Sequence, residues 1–158
     1  MPLTFGWEPM RDILAAPNIR DMLDEHWAEL GVTKEDDCPL DPDFERFIQL
    51  DDLGLLRVWA ARDGKTLAGY LAWFIQPHIH YRSTLHAVED LYLLSAPYRQ
   101  GLNGYRFFTT AIDALRDLGV KRCIVHSKVH FEPERGGLVQ FFARLGFVHT
   151  DNLYIRIL

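Results

Sequence analysis

The sequence predicts a single α/β domain with a mixed β-sheet, in which an antiparallel meander precedes a β-α-β crossover and helices cover both faces. Three observations support it. Apolar residues recur at helical spacing early in the chain, strand-like runs begin at Leu55, and a helical stripe separates the last two of these runs. No repeat or linker divides the 158 residues. We therefore expect one domain over 1–158, with a helical part at 1–50 and the sheet at 55–158.

Composition and charge exclude several classes of protein. Hydrophobic residues make up 48% of the chain and charged residues 25%, which is typical of a globular domain. The net charge of −5 argues against general nucleic-acid binding, because that function needs a surplus of Lys and Arg. The longest apolar stretch, around Leu67–Ile79, is too short to cross a bilayer. The first residues do not resemble a secretory signal, so we expect a cytoplasmic protein with Cys38 and Cys123 as reduced thiols.

The N-terminal part has the pattern of two helices. Asn18 stands at an N-cap position, and apolar residues then recur at helical spacing until Gly31. The segment Asp41–Phe47 opens like a second, shorter helix, with an Asp cap and a Pro in its first turn.

The middle of the chain has the pattern of an antiparallel meander. Strand-like runs at Leu55–Ala61 and Thr66–Ile75 flank Arg62-Asp63-Gly64-Lys65, whose Asp-Gly pair favours a tight hairpin turn. A third run covers Leu85–Leu94. Because the connections are short, these strands are expected to pair antiparallel.

The last third alternates between helix and strand. After Pro97, a stripe at helical spacing predicts a helix that ends at Gly119, with Arg116 and Asp117 facing water; its members are Tyr105, Phe108, Ile112 and Leu115. Lys121–Lys128 reads as a strand parallel to Leu85–Leu94, because a whole helix joins the two. A short helix over Leu138–Leu145, ended by Gly146, and a last strand from Phe147–Val148 with Leu153–Leu158 complete the order.

The segment between the third strand and the helix after it is suited to binding an anion. It contains Pro97, Arg99, Gly101 and Gly104 directly before the helix. Glycines allow backbone N–H groups to point inward, and a helix N-terminus adds partial positive charge. The alternative is an ordinary strand-to-helix loop that uses glycine for its turns.

Three motifs in order resemble the GNAT superfamily of N-acetyltransferases, and most closely a branch often carried by phages and prophages. Arg99 and Gly104 fit the ends of the family's pyrophosphate-loop signature, while Leu102 stands in place of its first glycine and Gly101 lies one residue early. The other two motifs are Leu118-Gly119-Val120-Lys121-Arg122, similar to the family's helix-to-strand junction, and Ala143-Arg144-Leu145-Gly146-Phe147, similar to the end of its next helix.

The resemblance implies that acetyl-CoA is the cosubstrate and lies between the two parallel strands where they separate. Main-chain atoms of Tyr92, Leu93 and Leu94 would then pair with the pantetheine arm. The pyrophosphate would be held by the N–H groups of Gln100, Gly101, Leu102, Asn103, Gly104 and Tyr105. Arg99 would add a direct charge. Backbone dipoles would let an acidic protein hold an anionic cosubstrate.

Two residues are candidates for the catalytic base. His126 occupies a position on the second parallel strand where some family members carry a Glu, and an imidazole can accept a proton at neutral pH. Glu89 on the first strand is the alternative, with Asp90 expected on the opposite face. The family's usual tyrosine acid falls on Phe142, which cannot donate a proton. Tyr154, Tyr105 or solvent would have to replace it.

The sequence therefore predicts an enzyme that moves an acetyl group from acetyl-CoA to a primary amine on a small molecule or a peptide. One alternative is a non-catalytic CoA-binding or protein-binding module with the same fold. Another is a histidine metalloprotein, suggested by His78-Ile79-His80, but no Cys or carboxylate stands at characteristic spacing, and we predict no metal. Neither membrane association nor general nucleic-acid binding is expected, and a homodimer is left open.

Overall fold

The structure, a computed structural model, describes residues 2–30, 41–127 and 137–152. These residues form five strands and five helices in the order β1, α1, α2, α3, β2, β3, β4, α4, β5, α5. Their bounds are β1 Thr4–Glu8, α1 Met10–Leu14, α2 Ile19–Leu30, α3 Phe44–Asp52, β2 Leu56–Asp63, β3 Thr66–His78, β4 Tyr81–Leu94, α4 Asn103–Asp117, β5 Val120–Ile124 and α5 Gly137–Arg144, with a 3-10 turn at Ala96–Tyr98.

The described strands form one mixed sheet in the order β1-β2-β3-β4-β5. The first four pair antiparallel, and β4 pairs parallel with β5 through the crossover helix α4. This confirms the predicted meander and β-α-β unit. Gly64 takes a φ of +59° in the turn between β2 and β3, a conformation that glycine adopts at little cost.

Residues of β3 alternate between two apolar clusters on opposite faces of the sheet. Leu67, Tyr70 and Ala72 pack with α1 and α2, whereas Ala68, Leu71 and Trp73 pack with α4 and α5. Successive side chains of a strand point to opposite faces of the sheet, so a strand that is covered on both sides contributes alternate residues to each cluster. The helices therefore cover both faces, as the sequence predicts.

Two predictions about regular structure are wrong in detail. The buried face of α4 consists of Phe107, Phe108, Ala111 and Leu115, whereas Tyr105 is 42% exposed. The helix is therefore rotated from the predicted stripe, because the Phe107-Phe108 pair takes the inner position. Phe147 and Val148 form no strand, and Leu153–Leu158 lie outside the described residues.

Two elements were not anticipated. β1 pairs with β2 and places Phe5 and Trp7 against the cluster that includes α4, so a strand belongs to the part of the chain expected to be helical. Alternation of aromatic and polar residues over Thr4–Glu8 was the signal available in the sequence. The short helix α1 buries only Met10 and Ile13 and lacks a long apolar stripe. No helix among the described residues is long and apolar enough to span a membrane.

Candidate active site

The two parallel strands separate at the carboxyl end of their paired region. Pairing between β4 and β5 begins at Leu85 and Val120 and ends at Val88 and Ile124. The rest of β4 pairs only with β3 among the described strands, so one edge of Tyr92–Leu94 is left without a ladder partner. These are the residues expected to bind the pantetheine arm.

A β-bulge lies in β4 where the strands separate. Ala72 of β3 pairs with Leu91 and Trp73 pairs with Glu89, so Asp90 has no opposite residue. An extra residue of this kind bends its strand and changes the direction of nearby side chains. Burial raises the pKa of Asp90. The bulge thus sets the course of β4 between Glu89 and the unpaired edge.

Glu89 and His126, the two predicted base candidates, are in contact. Oε2 of Glu89 accepts a hydrogen bond from the backbone N–H of His126 at 2.9 Å and lies 3.3 Å from Nδ1 of its imidazole. Glu89 is 7% exposed, whereas the His126 side chain is 40% exposed. An ionised carboxylate only accepts, so this contact favours the proton on Nδ1 and leaves Nε2 free to accept another.

The electrostatics of the pair combine two opposing effects. Burial raises the pKa of Glu89, and the hydrogen bonds and charge of His126 oppose that rise. The hydroxyl of Tyr92 donates to the carbonyl oxygen of His126 at 3.2 Å, which connects β4 with the segment that follows β5. Burial also raises the pKa of Tyr92 to about 12, with Glu89 adding to it. The bridge from the Tyr92 side chain was missed in the sequence, since no local pattern relates residues 92 and 126.

The N-terminus of α4 is suited to an anion. Its N-cap residue Leu102 offers no side-chain hydrogen bond, and the first turn contains no acidic residue. The first N–H groups of a helix have no carbonyl partner within the helix, so a ligand can bind them. Gly101 makes the preceding turn at a φ of +60°. A Cβ on Gly104 would lie 4.0 Å from Leu94 Cδ2 and from Phe141 Cε2, between β4 and α5.

The remaining loop residues have structural partners. The Asn103 side chain donates to the carbonyl oxygen of Tyr98 at 3.1 Å, and the carbonyl of Gln100 accepts a long hydrogen bond from the N–H of Asn103. Arg99, expected to add charge to the pyrophosphate, contacts two carboxylates of α2, Glu25 and Glu29. The exposed ring of Tyr105 lies in the first turn of α4.

Phe142 occupies the position expected for the tyrosine acid and is 7% exposed. Its ring packs edge-on against Tyr92, Phe108 and Phe147. This packing makes Phe142 part of the core beneath the cleft. Of the two tyrosines expected to replace it, Tyr105 is on α4 and Tyr154 lies outside the described residues.

The histidine rings of the β3–β4 hairpin lie close together in tilted pairs. The rings of His78 and His86 are 4.7 Å apart, and those of His78 and His80 are 5.5 Å apart. Within residues 2–30, 41–127 and 137–152, no group of three His, Cys, Asp or Glu side chains could hold a metal ion.

Comparison with known proteins finds solved structures that share this fold. The chain is similar to a ribosomal-protein-alanine N-acetyltransferase from Brucella melitensis biovar Abortus 2308, with 13% identity, a TM-score of 0.70 and coverage of 100% of both chains. It is similar to an aminoglycoside acetyltransferase from an uncultured soil metagenomic sample in complex with sisomicin, with 13% identity, a TM-score of 0.67 and coverage of 99% of this chain and 94% of that one. A predicted acetyltransferase with acetyl-CoA from Clostridium acetobutylicum gives 12% identity, a TM-score of 0.65 and coverage of 99% and 96%.

At these identities the structures show a shared fold only. No curated protein sequence matches the chain. The profile of the acetyltransferase (GNAT) family matches residues 19–147, which include every described element from α2 to α5. The chain therefore belongs to the GNAT family of acetyltransferases.

Proposed function

We propose that this protein is an N-acetyltransferase that moves an acetyl group from acetyl-CoA to a primary amine. The observation that carries the proposal is the contact between Glu89 and His126 where β4 and β5 separate. Bound acetyl-CoA supplies a thioester, whose acetyl group passes to nitrogen as the thiol is released. The unpaired edge of Tyr92–Leu94 and the uncapped start of α4 suit its pantetheine and pyrophosphate groups.

His126 acts as the base in this proposal, and Glu89 orients it. Nε2 of His126 accepts a proton from the ammonium group of the acceptor, because only the neutral amine can attack a carbonyl carbon. Glu89 accepts from Nδ1 and stabilises the imidazolium that forms, as buried carboxylates do in other carboxylate–histidine pairs. The exposed imidazole then returns its proton to solvent.

We propose a cationic amine as the acceptor. The aminoglycoside and ribosomal-protein-alanine enzymes with this fold are named for very different amines, so the fold alone does not select one. The net charge of −5 attracts cations over anions. The cytoplasmic location and the relation to a phage-carried branch stay predictions.

The test is an acetyl-transfer assay with the full chain, acetyl-CoA and a panel of amines that includes an aminoglycoside, a polyamine, a lysine peptide and a peptide with N-terminal alanine. Release of free thiol gives the rate, and the product mass identifies acetylated nitrogen. We expect His126→Ala to lower turnover by about a hundredfold or more with little change in CoA affinity, the usual scale for a positioned base.

The variant Glu89→Gln identifies which residue is the base. A large loss in Glu89→Gln with an active His126→Ala would transfer the role of base to Glu89. If neither variant slows acetylation of a verified acceptor, the proposed mechanism is wrong.

One observation favours a second candidate, a non-catalytic CoA-binding module. Phe142, in the position of the usual acid, is buried in an aromatic cluster and offers no proton. Such a module would bind CoA and acetylate none of the amines in the panel. Acetylation of any of them at nitrogen, lost in His126→Ala, excludes this candidate.

A further inference from the structure

A carboxylate of α2 holds the loop that precedes α4. Oε2 of Glu25 accepts a hydrogen bond from the Ser95 hydroxyl at 2.5 Å, and Oε1 accepts one from the backbone N–H of Ala96 at 2.7 Å. The guanidinium of Arg99 lies 3.3 Å from Oε1. One side chain, only a quarter exposed, thus contacts three residues of the loop about 70 positions away in sequence.

Arg99 extends this arrangement. Its Nη2 donates to Glu29 at 2.6 Å, one helical turn beyond Glu25, and its Nε donates to the carbonyl oxygen of Leu94 at 2.5 Å. The guanidinium therefore connects α2 with the end of β4. These contacts use the Nε and Nη2 donors of the guanidinium.

The contacts of Glu25 and Glu29 differ in kind. Glu29 makes an ion pair with the partly exposed side chain of Arg99, and exposed pairs of this type contribute little to stability. Glu25 accepts from a hydroxyl and a main-chain N–H in addition to its ion pair. Hydrogen bonds to an ionised group are stronger than neutral ones and depend on geometry.

The hydrogen bonds within the loop join residues that are close in sequence and do not connect it to α2. Its internal hydrogen bonds include those from the N–H of Tyr98 to Ser95 and from the N–H of Arg99 to Ala96, at 2.8 and 3.2 Å. The left-handed glycine Gly101 follows. A loop that must be ordered by its ligand reduces affinity, so external contacts that order it in advance improve binding.

We propose that Glu25 is a positioning residue for cosubstrate binding: it holds Ser95, Ala96 and Arg99 so that the N-terminus of α4 faces the pyrophosphate. The proposal rests on the proposed acetyl-CoA function. It assigns α2 a role in cosubstrate affinity although α2 lies on the opposite face of the sheet from α4.

The experiment compares Glu25→Ala, Glu25→Gln and the matched control Glu29→Ala in the full chain. Alanine is a strong helix former, so neither alanine variant weakens α2 itself. Calorimetry gives the Kd for CoA, steady-state kinetics give KM for acetyl-CoA and kcat, and amide hydrogen exchange reports on residues 95–105 without ligand. Glutamine can still accept from Ala96 and pair with the Ser95 hydroxyl, so it serves as the rescue variant.

We expect Glu25→Ala to raise Kd and KM about tenfold, because charge-assisted hydrogen bonds order the loop, with kcat nearly unchanged and faster exchange in the loop. Glu25→Gln should recover part of the affinity, because it keeps the hydrogen bonds to the loop and loses the charge, and Glu29→Ala should lose less than about threefold. A wild-type protein that binds CoA, with equal Kd and equal loop exchange in Glu25→Ala, overturns the inference. Equal losses in Glu25→Ala and Glu29→Ala also overturn it, since the ion pairs with Arg99 would then be responsible.

Failure of the proposed function gives a different result. A wild-type protein that binds no CoA refutes the acetyl-CoA proposal and with it the role assigned to Glu25. In that case faster loop exchange in Glu25→Ala would still verify the contact itself.

Discussion

Gly104 offers a substitution that separates cosubstrate binding from folding. It lies in the first turn of α4 outside the left-handed region of φ, and among the described residues an added Cβ would meet Leu94 and Phe141, both at ordinary contact distance. The fold therefore accommodates Gly104→Ala. Alanine is favoured over glycine within a helix by up to about 1 kcal/mol, so the variant should be at least as stable as the wild type.

The same methyl group would lie beside Leu94 at the end of β4, the strand along which the proposed cosubstrate passes between β4 and β5. If the pyrophosphate binds the N–H groups of this turn, the methyl displaces it and weakens at least one hydrogen bond to a charged group, worth about 1.5–3 kcal/mol. At 1.4 kcal/mol for each factor of ten, the Kd for CoA should rise about tenfold to a hundredfold. Stability and affinity should thus change in opposite directions.

Calorimetric titration with CoA measures the affinity, and urea denaturation measures the free energy of unfolding. Gly101→Ala is the matched control, because Gly101 has a φ of +60° and open space around its Cβ. That variant should lose roughly 1–2 kcal/mol of stability through backbone strain. Unchanged CoA affinity in Gly104→Ala, in a wild type that binds CoA, would refute the reasoning.

Two further predictions concern the core and the pH dependence of stability. Leu115→Ala should cost about 2–5 kcal/mol of unfolding free energy, because Leu115 is 1% exposed and its truncation leaves a cavity. Arg116→Ala should cost little, because it removes only an exposed ion pair. Chemical denaturation measures both losses, and comparable values would mean that α4 is misoriented. Burial raises the pKa of Glu89 above its ordinary value of 4.5. The protonated Glu89 side chain therefore contributes most to stability at pH values below 4.5, and this contribution is lost as the pH rises through the folded-state pKa. The variant Glu89→Gln should therefore gain stability relative to the wild type between acidic and neutral pH, and parallel stability curves would contradict this.

Local sequence signals predicted most of the regular structure because short-range geometry determines it. Hairpin length dictates the antiparallel pairing of β2 and β3, and the crossover helix dictates the parallel pairing of β4 and β5. The predicted buried face of α4 was wrong because the adjacent residues Phe107 and Phe108 fit two overlapping apolar stripes. Only packing against the sheet selects one of these stripes as the buried face.

The sequence pointed to individual residues of the candidate site but not to the contacts between them. Glu89 and His126 were each singled out as alternatives, yet the sequence gives no sign that the carboxylate of one touches the imidazole of the other. Glu25 was not considered, because residues on α2 and in the loop before α4 are related only by the fold. The missing information is long-range contact, which local periodicity does not contain.

Glu89 also connects β4 with the segment that follows β5 through its side chain. Main-chain pairing of β5 with β4 ends at Ile124, and the N–H of His126 then donates to the Glu89 side chain. Glutamine at 89 can still accept that hydrogen bond through its carbonyl oxygen, whereas alanine leaves the N–H without its partner.

We therefore expect Glu89→Gln to reduce turnover with CoA affinity nearly unchanged, and Glu89→Ala to reduce both, since the strands lose a contact that sets their separation. Calorimetry with CoA and kinetics on the two variants measure the difference. Equal CoA affinity in both variants would show that the Glu89 carboxylate contributes nothing to the shape of the cleft, and would restrict its role to the chemistry at His126.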